Sequence, residues 1–340
     1  MKTIVTFGEL MLRLAPPGYL RFVQTDSFLA TPGGGEANVA VSLAQFGLDA
    51  TFVSKIPAHE IGQIAVQALR RFGVNTEAIV RGGSRLGIYF LEKGASQRPS
   101  KVIYDRANSA IATADPHDFD WERILEHARW FHFTGITPAI SDSAAQITKE
   151  ACQTAQKKGI PISCDLNYRK NLWSREKAQA VMGELVPFVD LCIANEEDAF
   201  DVFGIQAPHS DVTAGTINRE GYQFVAQTLA KRFGFKKVAI TLRESITAND
   251  NKWAALLYDG VDTYYSKKYP VHIVDRVGGG DSFGAGLIYG FVEGLSSAET
   301  LEFAVAASCL KHTVEGDFNI VSVSEVQKLA HGDASGRVQR

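Results

Sequence analysis

The sequence predicts an α/β fold with a mainly parallel central sheet, helices on both faces and a small accessory β-sheet. Three observations predict it. From about residue 120 onward, strand-length apolar runs alternate with helix-length runs, the pattern of stacked βαβ units. Before residue 107, several short runs with period-two alternation interrupt that pattern and read as exposed strands. Two glycine-rich turns, at residues 33–35 and 278–280, each open a helix-like run.

Residues 4–7 form a β-type run closed by Gly8 and Glu9, and residues 11–14 form a second before Pro16, Pro17 and Gly18 turn the chain. Residues 21–29 read as extended, so these pieces suggest a hairpin or meander. A helix follows, with Ala37, Ala40, Val41 and Ala44 on one face and Gly47 as its stop. Its small residues allow close packing. Residues 51–56 read as strand and 61–72 as helix, while 87–92 and 101–105 read as exposed strands around the polar loop 94–100.

The regular alternation then begins. Helices are predicted at 121–128, 141–158, 177–186, 218–233 and 282–292, and strands at 130–133, 162–166, 191–194, 237–241 and 269–274. In such sheets ligands collect beyond the carboxyl ends of the strands. That rule selects Asp165, Asn167 and Arg169; Asn195, Glu196, Glu197 and Asp198; Thr241, Arg243 and Glu244; and the turn at 278–280. His132 lies near a strand end as well, where a hydrogen-bonded structural histidine is the plainer reading.

Composition narrows the function. The 340 residues are 45% apolar and 21% charged, which is ordinary for a globular protein. The net charge of −3, from 35 basic and 38 acidic residues, gives no support for nucleic-acid or membrane-surface partners. No uncharged apolar run reaches the length of a membrane span. Residues 1–10 read as a strand and turn rather than a leader. Cys152, Cys164, Cys192 and Cys309 form no C-x-x-C pair, so a reduced, cytoplasmic setting is expected without a zinc site or disulfide framework.

The chemistry centres on Asp275-Arg-Val-Gly-Gly-Gly-Asp281. Gly278, Gly279 and Gly280 sit between a strand and a helix, where backbone N–H groups can cradle an anion. Asp281 follows directly. It can serve as a helix N-cap, or as a base taking a proton from a hydroxyl while the glycine amides hold the phosphoryl group under attack. The run from Asn195 to Asp198 is either an acidic helix start favoured by the macrodipole or a partly water-mediated Mg²⁺ site. The turn around Gly34, with Asn38 one helical turn on, is an ordinary loop or a place of close substrate approach. Tyr89, Tyr104 and Arg106 are either β-formers on a solvated face or ligand contacts. No Walker motif and no protein-kinase signature is present.

Residues 275–286 resemble the C-terminal signature of the ribokinase-like (PfkB) carbohydrate kinases. The loop 33–35 with Asn38 resembles the N-terminal signature of that family, and Asn195–Asp198 resembles its N-x-x-E metal motif. Stretches 87–92, 102–106, 164–169 and 316–318 are similar to members acting on sugar acids. The resemblance implies a single ribokinase-like domain over residues 1–340, with a β lid at about 10–32 and 86–107. It implies ATP and Mg²⁺ as cofactors and a small sugar acid as partner.

By the same resemblance, Asp281 is the general base, with Gly278, Gly279 and Gly280 forming the anion hole. Gly34, Asn38, Tyr89, Tyr104, Arg106, Arg169 and Asp317 contact the sugar acid. Asn167, Asn195, Thr241, Arg243 and Glu244 lie on the nucleotide side, and Glu197 and Asp198 on the metal. A carboxylate substrate needs a forked cationic partner, which Arg106 and Arg169 can supply. A fructose or other keto-sugar kinase of the same family would not require that pair, and a non-catalytic sugar or nucleotide sensor would not require Asp281. Free edges on the lid strands suggest homo-oligomers paired through the lid.

The sequence departs from the family pattern in two places. Gly279 stands where alanine is usual, which implies a looser loop. Asp198 stands where glutamate is usual. The polar stretch 243–249 also lacks a glycine-rich nucleotide loop.

Overall fold

The protein, a computed structural model, is described over residues 3–195, 197–206 and 219–333. The strands are β1 (Thr3–Phe7), β2 (Met11–Ala15), β3 (Leu29–Gly33), β4 (Asp49–Ile56), β5 (Ile79–Arg81), β6 (Ile88–Glu92), β7 (Lys101–Asp105), β8 (Ala128–Thr134), β9 (Ile162–Asp165), β10 (Leu191–Ala194), β11 (Lys237–Ser245), β12 (Asp250–Tyr258), β13 (Thr263–Tyr265) and β14 (Tyr269–His272). The helices are α1 (Gly35–Gln45), α2 (Glu60–Arg71), α3 (Trp121–Ile124), α4 (Ile136–Ile140), α5 (Asp142–Lys157), α6 (Arg175–Leu185), α7 (Asp198–Phe203), α8 (Arg219–Phe233), α9 (Gly279–Glu293), α10 (Ser297–Lys311) and α11 (Val323–Ala330).

The large sheet runs β13-β12-β11-β10-β9-β8-β1-β4-β5, with β14 also paired to β12. From β5 to β11 every pairing is parallel. The chain builds outward from β1 through β4 to β5, then returns to place β8 on the other side of β1. That reversal leaves a crevice at the carboxyl ends of β1 and β8, where open α/β sheets bind ligands. One apolar cluster fills the face bearing α5, α6 and α8, and a second fills the face bearing α1, α9 and α10. A Cβ on Gly286 would come within 2.6 Å of the Ala304 backbone, so glycine there lets α9 lie tightly against α10.

The small sheet has the order β3-β2-β6-β7. Its β2 alternates buried and half-buried positions, whereas all of β7 is exposed. Its strands fall within the two segments expected to form a lid.

Several expectations shift. The run at 21–29 contains a 3-10 turn, Phe22–Gln24, and only then β3. The expected helix at 121–128 stops at Ile124, because the chain must reach β8 by Ala128. The edge beyond β11 is antiparallel, not a further βα unit. There β11 runs on to Ser245 and turns back into β12, so residues 243–245 are strand and not a nucleotide loop. The start of the expected helix at 218 lies outside the described residues.

Candidate active site

The crevice is a cleft of about 360 Å³ lined from both sheets. Its floor is the start of α9. Gly278 adopts φ +83°, and a Cβ there would lie 2.1 Å from the Asp317 carbonyl oxygen, so only glycine can make the turn. The first amides of α9 lack intrahelical acceptors: Gly278 and Gly280 line the cleft, while the Gly279 N–H donates to the Arg276 carbonyl at 3.4 Å. Gly280 is exposed, with open space where a Cβ would project. Gly279 is buried, and a Cβ on it would meet the His312 ring at 2.5 Å. That ring donates from Nδ1 to the Ser308 carbonyl at 2.7 Å and packs on Trp253. The space beside the glycine at the usual alanine position is therefore filled by a neighbour rather than left loose. Burial holds His312 neutral, with its pKa lowered to about 4.

Asp281 lies in the first turn of α9 and half faces the cleft. The Asn38 Nδ2 amide donates to its Oδ2 at 2.7 Å, and the Gly34 N–H donates to Asn38 Oδ1 at 3.3 Å. The two glycine turns are thus joined at the candidate base. Loss of water raises the Asp281 pKa to about 7, against the Asn38 hydrogen bond, with nearby Glu36 and Asp317 adding to the rise. Such a carboxylate is poised to exchange a proton near neutrality.

The small sheet supplies one wall. Tyr89 is buried and donates its hydroxyl to Asp317 Oδ2 at 2.5 Å. The Tyr104 ring lies 6.0 Å from that of Tyr89, and the Arg106 guanidinium sits 5.6 Å from the Tyr104 ring centre. Arg106 is not a free cation. Its Nε donates to Glu9 Oε2 at 2.7 Å and its Nη2 contacts the same oxygen, because a buried guanidinium needs a charge partner. Arg169, from the loop after β9, donates Nη1 to the Tyr168 carbonyl at 3.0 Å. Among the described residues it makes no ion pair, and its charge is shared at longer range with Asp165, Asp198 and Asp281, so of the two arginines it is the one not tied to a single carboxylate.

The opposite end is more polar. Asn167 takes the left-handed φ of +41° and lines the cleft beside Asn195. Asn195 Oδ1 accepts the N–H groups of Glu197 and Asp198 at 2.8 and 3.0 Å, capping α7. The Asp198 carboxylate accepts from Tyr168 N–H and Asn195 N–H, both at 3.0 Å, and so ties the loops after β9 and β10 together. It lines the cleft, whereas Glu197 is exposed and does not. Glu196 lies outside the described residues. Thr241 and Arg243 line the cleft, but Glu244 stands away from it, paired with Lys252 and Lys268. His132 is buried on β8 with Nδ1 2.8 Å from Ser163 Oγ, and burial lowers its pKa to about 3. It belongs to the core.

Several lining residues were not read from the sequence. Asn251 and Trp253 face the cleft from β12, and Arg276 and His312 join them. The first two sit on the inward side of β12, but Asp-Asn-Lys-Trp at its start carries no polar–apolar alternation that would mark them. Arg13, buried behind the cleft, had no signal either, for its strand pattern would place it in solvent.

Among the described residues no helix is long and apolar enough to cross a membrane, and no group of three metal-ligating side chains is preassembled. Asp165 and Asp198 are the carboxylates at the polar end, and burial raises the pKa of both. So sparse a donor set fits Mg²⁺, which keeps most of its waters and takes few carboxylates.

Comparison with known proteins agrees with this geometry. The family described as pfkB family carbohydrate kinase matches residues 1–322. The crystal structure of a 2-dehydro-3-deoxygluconokinase from Thermotoga maritima is 53% identical, with a TM-score of 0.94 over 97% of this chain and 98% of that one. A 2-dehydro-3-deoxygalactonokinase from Haloferax volcanii is 34% identical over 98% of each chain. A 2-dehydro-3-deoxygluconokinase from Bacillus subtilis is 26% identical over 96% of this chain and 94% of its own. A neighbour from Escherichia coli, described as a ribokinase II in complex with ATP and Mg²⁺, shares the fold with a TM-score of 0.79 at 21% identity. With its ribokinase-like sheet, accessory β-sheet and glycine-turn cleft, the chain belongs to the PfkB family of carbohydrate kinases.

Proposed function

We propose that the protein transfers the γ-phosphoryl group of ATP to the 6-hydroxyl of 2-keto-3-deoxygluconate, giving 2-keto-3-deoxy-6-phosphogluconate. The observation that carries this reading is Arg169, a cation without an ion-pair partner among the described residues, in the same cleft as Asp281. A sugar acid brings the carboxylate that such a forked cation suits. Arg106, held by Glu9, adds a second positive edge beside Tyr89 and Tyr104. The 53% identity to the Thermotoga protein supports the same substrate.

In this reading the sugar acid lies against Gly34, Asn38, Tyr89, Tyr104, Arg106 and Asp317, with its terminal hydroxyl toward Asp281. Asp281 accepts the hydroxyl proton, and Asn38 orients the carboxylate. Amides at Gly278, Gly279 and Gly280 hold the phosphoryl oxygens as charge moves from nucleophile to leaving group. ATP lies toward Asn167, Asn195, Thr241 and Arg243. Mg²⁺ would neutralise phosphate charge there, with Asp198 as the carboxylate available to hold it. The small sheet covers the sugar and limits loss of the phosphoryl group to water. Exposed Leu29 and Ile103 on that sheet, with Val23 in the turn before β3, support pairing of two subunits through it.

The identity to the Haloferax protein favours a second reading, in which the galacto epimer is accepted too. Release of ADP should be measured with both epimers and with fructose, at equal concentration, in the presence of ATP and Mg²⁺. Turnover of a sugar acid and not of fructose is expected. Turnover of fructose alone would discard the acid, and binding of ligands without turnover would favour a sensor.

A further inference from the structure

Arg13 is only 2% exposed, and it heads the large side chains buried most completely in the protein. It comes from β2 of the small sheet, yet its guanidinium reaches into the large domain. There Nη2 donates to Asp275 Oδ2 at 2.5 Å and Nη1 donates to Asp317 Oδ1 at 2.8 Å. Burial works against its charge, but the two carboxylates hold its pKa above the ordinary value, so it is a permanent cation.

Both partners are tied to the site. Asp275 opens the glycine turn. Its Oδ1 accepts the Val277 N–H at 3.2 Å, and its Oδ2 accepts the Gly316 N–H at 3.1 Å. Asp317 accepts the Tyr89 hydroxyl through its second oxygen, and its carbonyl is the atom pressed against Gly278. Without a cation between them, two buried carboxylates would repel each other and the turn would lose its backing. The nearby Lys311 feels both carboxylates but makes no ion pair with either among the described residues, and its Nζ donates to the Val314 carbonyl at 3.1 Å. Lys93 Nζ approaches Asp275 only to 4.0 Å. Two prongs aimed at two different carboxylates require the planar fork of arginine.

We propose that Arg13 is a positioning residue for phosphoryl transfer, a built-in cation that binds the small sheet to the glycine turn and keeps the Gly278 amide region in register with the sugar wall. Arg13 touches neither sugar nor phosphate. It acts through Asp275 and Asp317. The inference rests on the reading of residues 278–281 as the phosphoryl-transfer site.

Arg13→Lys keeps the charge and loses the fork, while Arg13→Gly removes the side chain. Both are compared with the wild type and with Asp281→Asn, on whichever sugar the wild type turns over. A wrong substrate then appears in the wild type, and a wrong inference only in the Arg13 variants. Arg13→Lys should fold and lose about 10- to 100-fold in kcat, the scale of a small misplacement of catalytic groups, with the sugar KM changing much less. Guanidinium ion added to Arg13→Gly should restore part of kcat, and it should do nothing for Asp281→Asn. Arg13→Lys with wild-type kcat would overturn the proposal. So would an Arg13→Gly protein whose unfolding temperature, but not kcat, recovers with guanidinium. If Arg13→Gly does not fold, the kcat of Arg13→Lys decides.

Discussion

Replacing Asp281 with asparagine separates catalysis from stability in one position. The carboxamide oxygen of Asp281→Asn would still accept the Asn38 amide that now donates to Asp281 Oδ2 at 2.7 Å, so the cleft should keep its shape. The base is lost, and turnover should fall by about 10² to 10⁴, or roughly 2.7–5.4 kcal/mol of barrier at about 1.36 kcal/mol per decade. Stability should move the other way. The Asp281 pKa rises from 3.8 to about 7 on folding, chiefly through burial. Below the unfolded value the group is protonated in both states and contributes nothing. Between the two values the folded state holds a proton that the unfolded state has lost, so stability falls as pH rises. Above the folded value the whole loss is present. Three pKa units correspond to about 4 kcal/mol, but Asp281 half faces water, which reduces this to about 1–2 kcal/mol. Thermal unfolding of the two proteins should coincide near pH 3 and separate by about 1–3 °C at pH 8, with the variant higher. Wild-type kcat/KM should rise as pH climbs through about 7. A variant retaining more than a tenth of wild-type turnover would remove Asp281 as the base, and an unfolding gap independent of pH would refute the burial argument.

Three further outcomes are expected. Gly278→Ala should unfold the glycine turn and abolish activity, since its Cβ would lie 2.1 Å from a backbone oxygen at a positive φ, whereas Gly280→Ala has open space and should leave the unfolding temperature intact while weakening ATP turnover; equal unfolding temperatures for both would contradict the steric argument. Arg169→Ala should cost a sugar acid at least about tenfold more in kcat/KM than a neutral analogue, the worth of one charge-assisted hydrogen bond, and Arg106→Ala should also lose stability by stranding Glu9; parallel losses for acid and neutral sugars would end the carboxylate-recognition reading. Native mass measurement should find dimers or larger assemblies that a charge at Leu29 or Ile103 dissociates, and a monomer at micromolar concentration would exclude pairing through the small sheet.

Local patterns in the sequence were sufficient for the parallel core. Apolar runs and helix periodicity placed β9, β10 and α5 within a residue or two, because the two central strands are short and almost wholly buried, β10 on both faces, and α5 buries one apolar face. The two glycine turns, Asp281 and Asn38 were legible for a similar reason: glycine spacing before a helix is a backbone property, written over a few consecutive residues. Long-range pairing was decided only in three dimensions. The alternation of β2 would leave Arg13 in solvent, yet two carboxylates some 260 and 300 residues away draw it into the interior. Arg106 looked equivalent to Arg169 until Glu9 neutralised one, while the other is not tied to a single carboxylate. Residues 243–245 read as a polar loop because their chain neighbours are polar, but hydrogen bonds to β12 hold them as strand. Periodicity records which face of an element meets apolar surroundings. It carries no record of which distant charge will neutralise a buried one, and here that neutralisation determines which cations remain for a ligand.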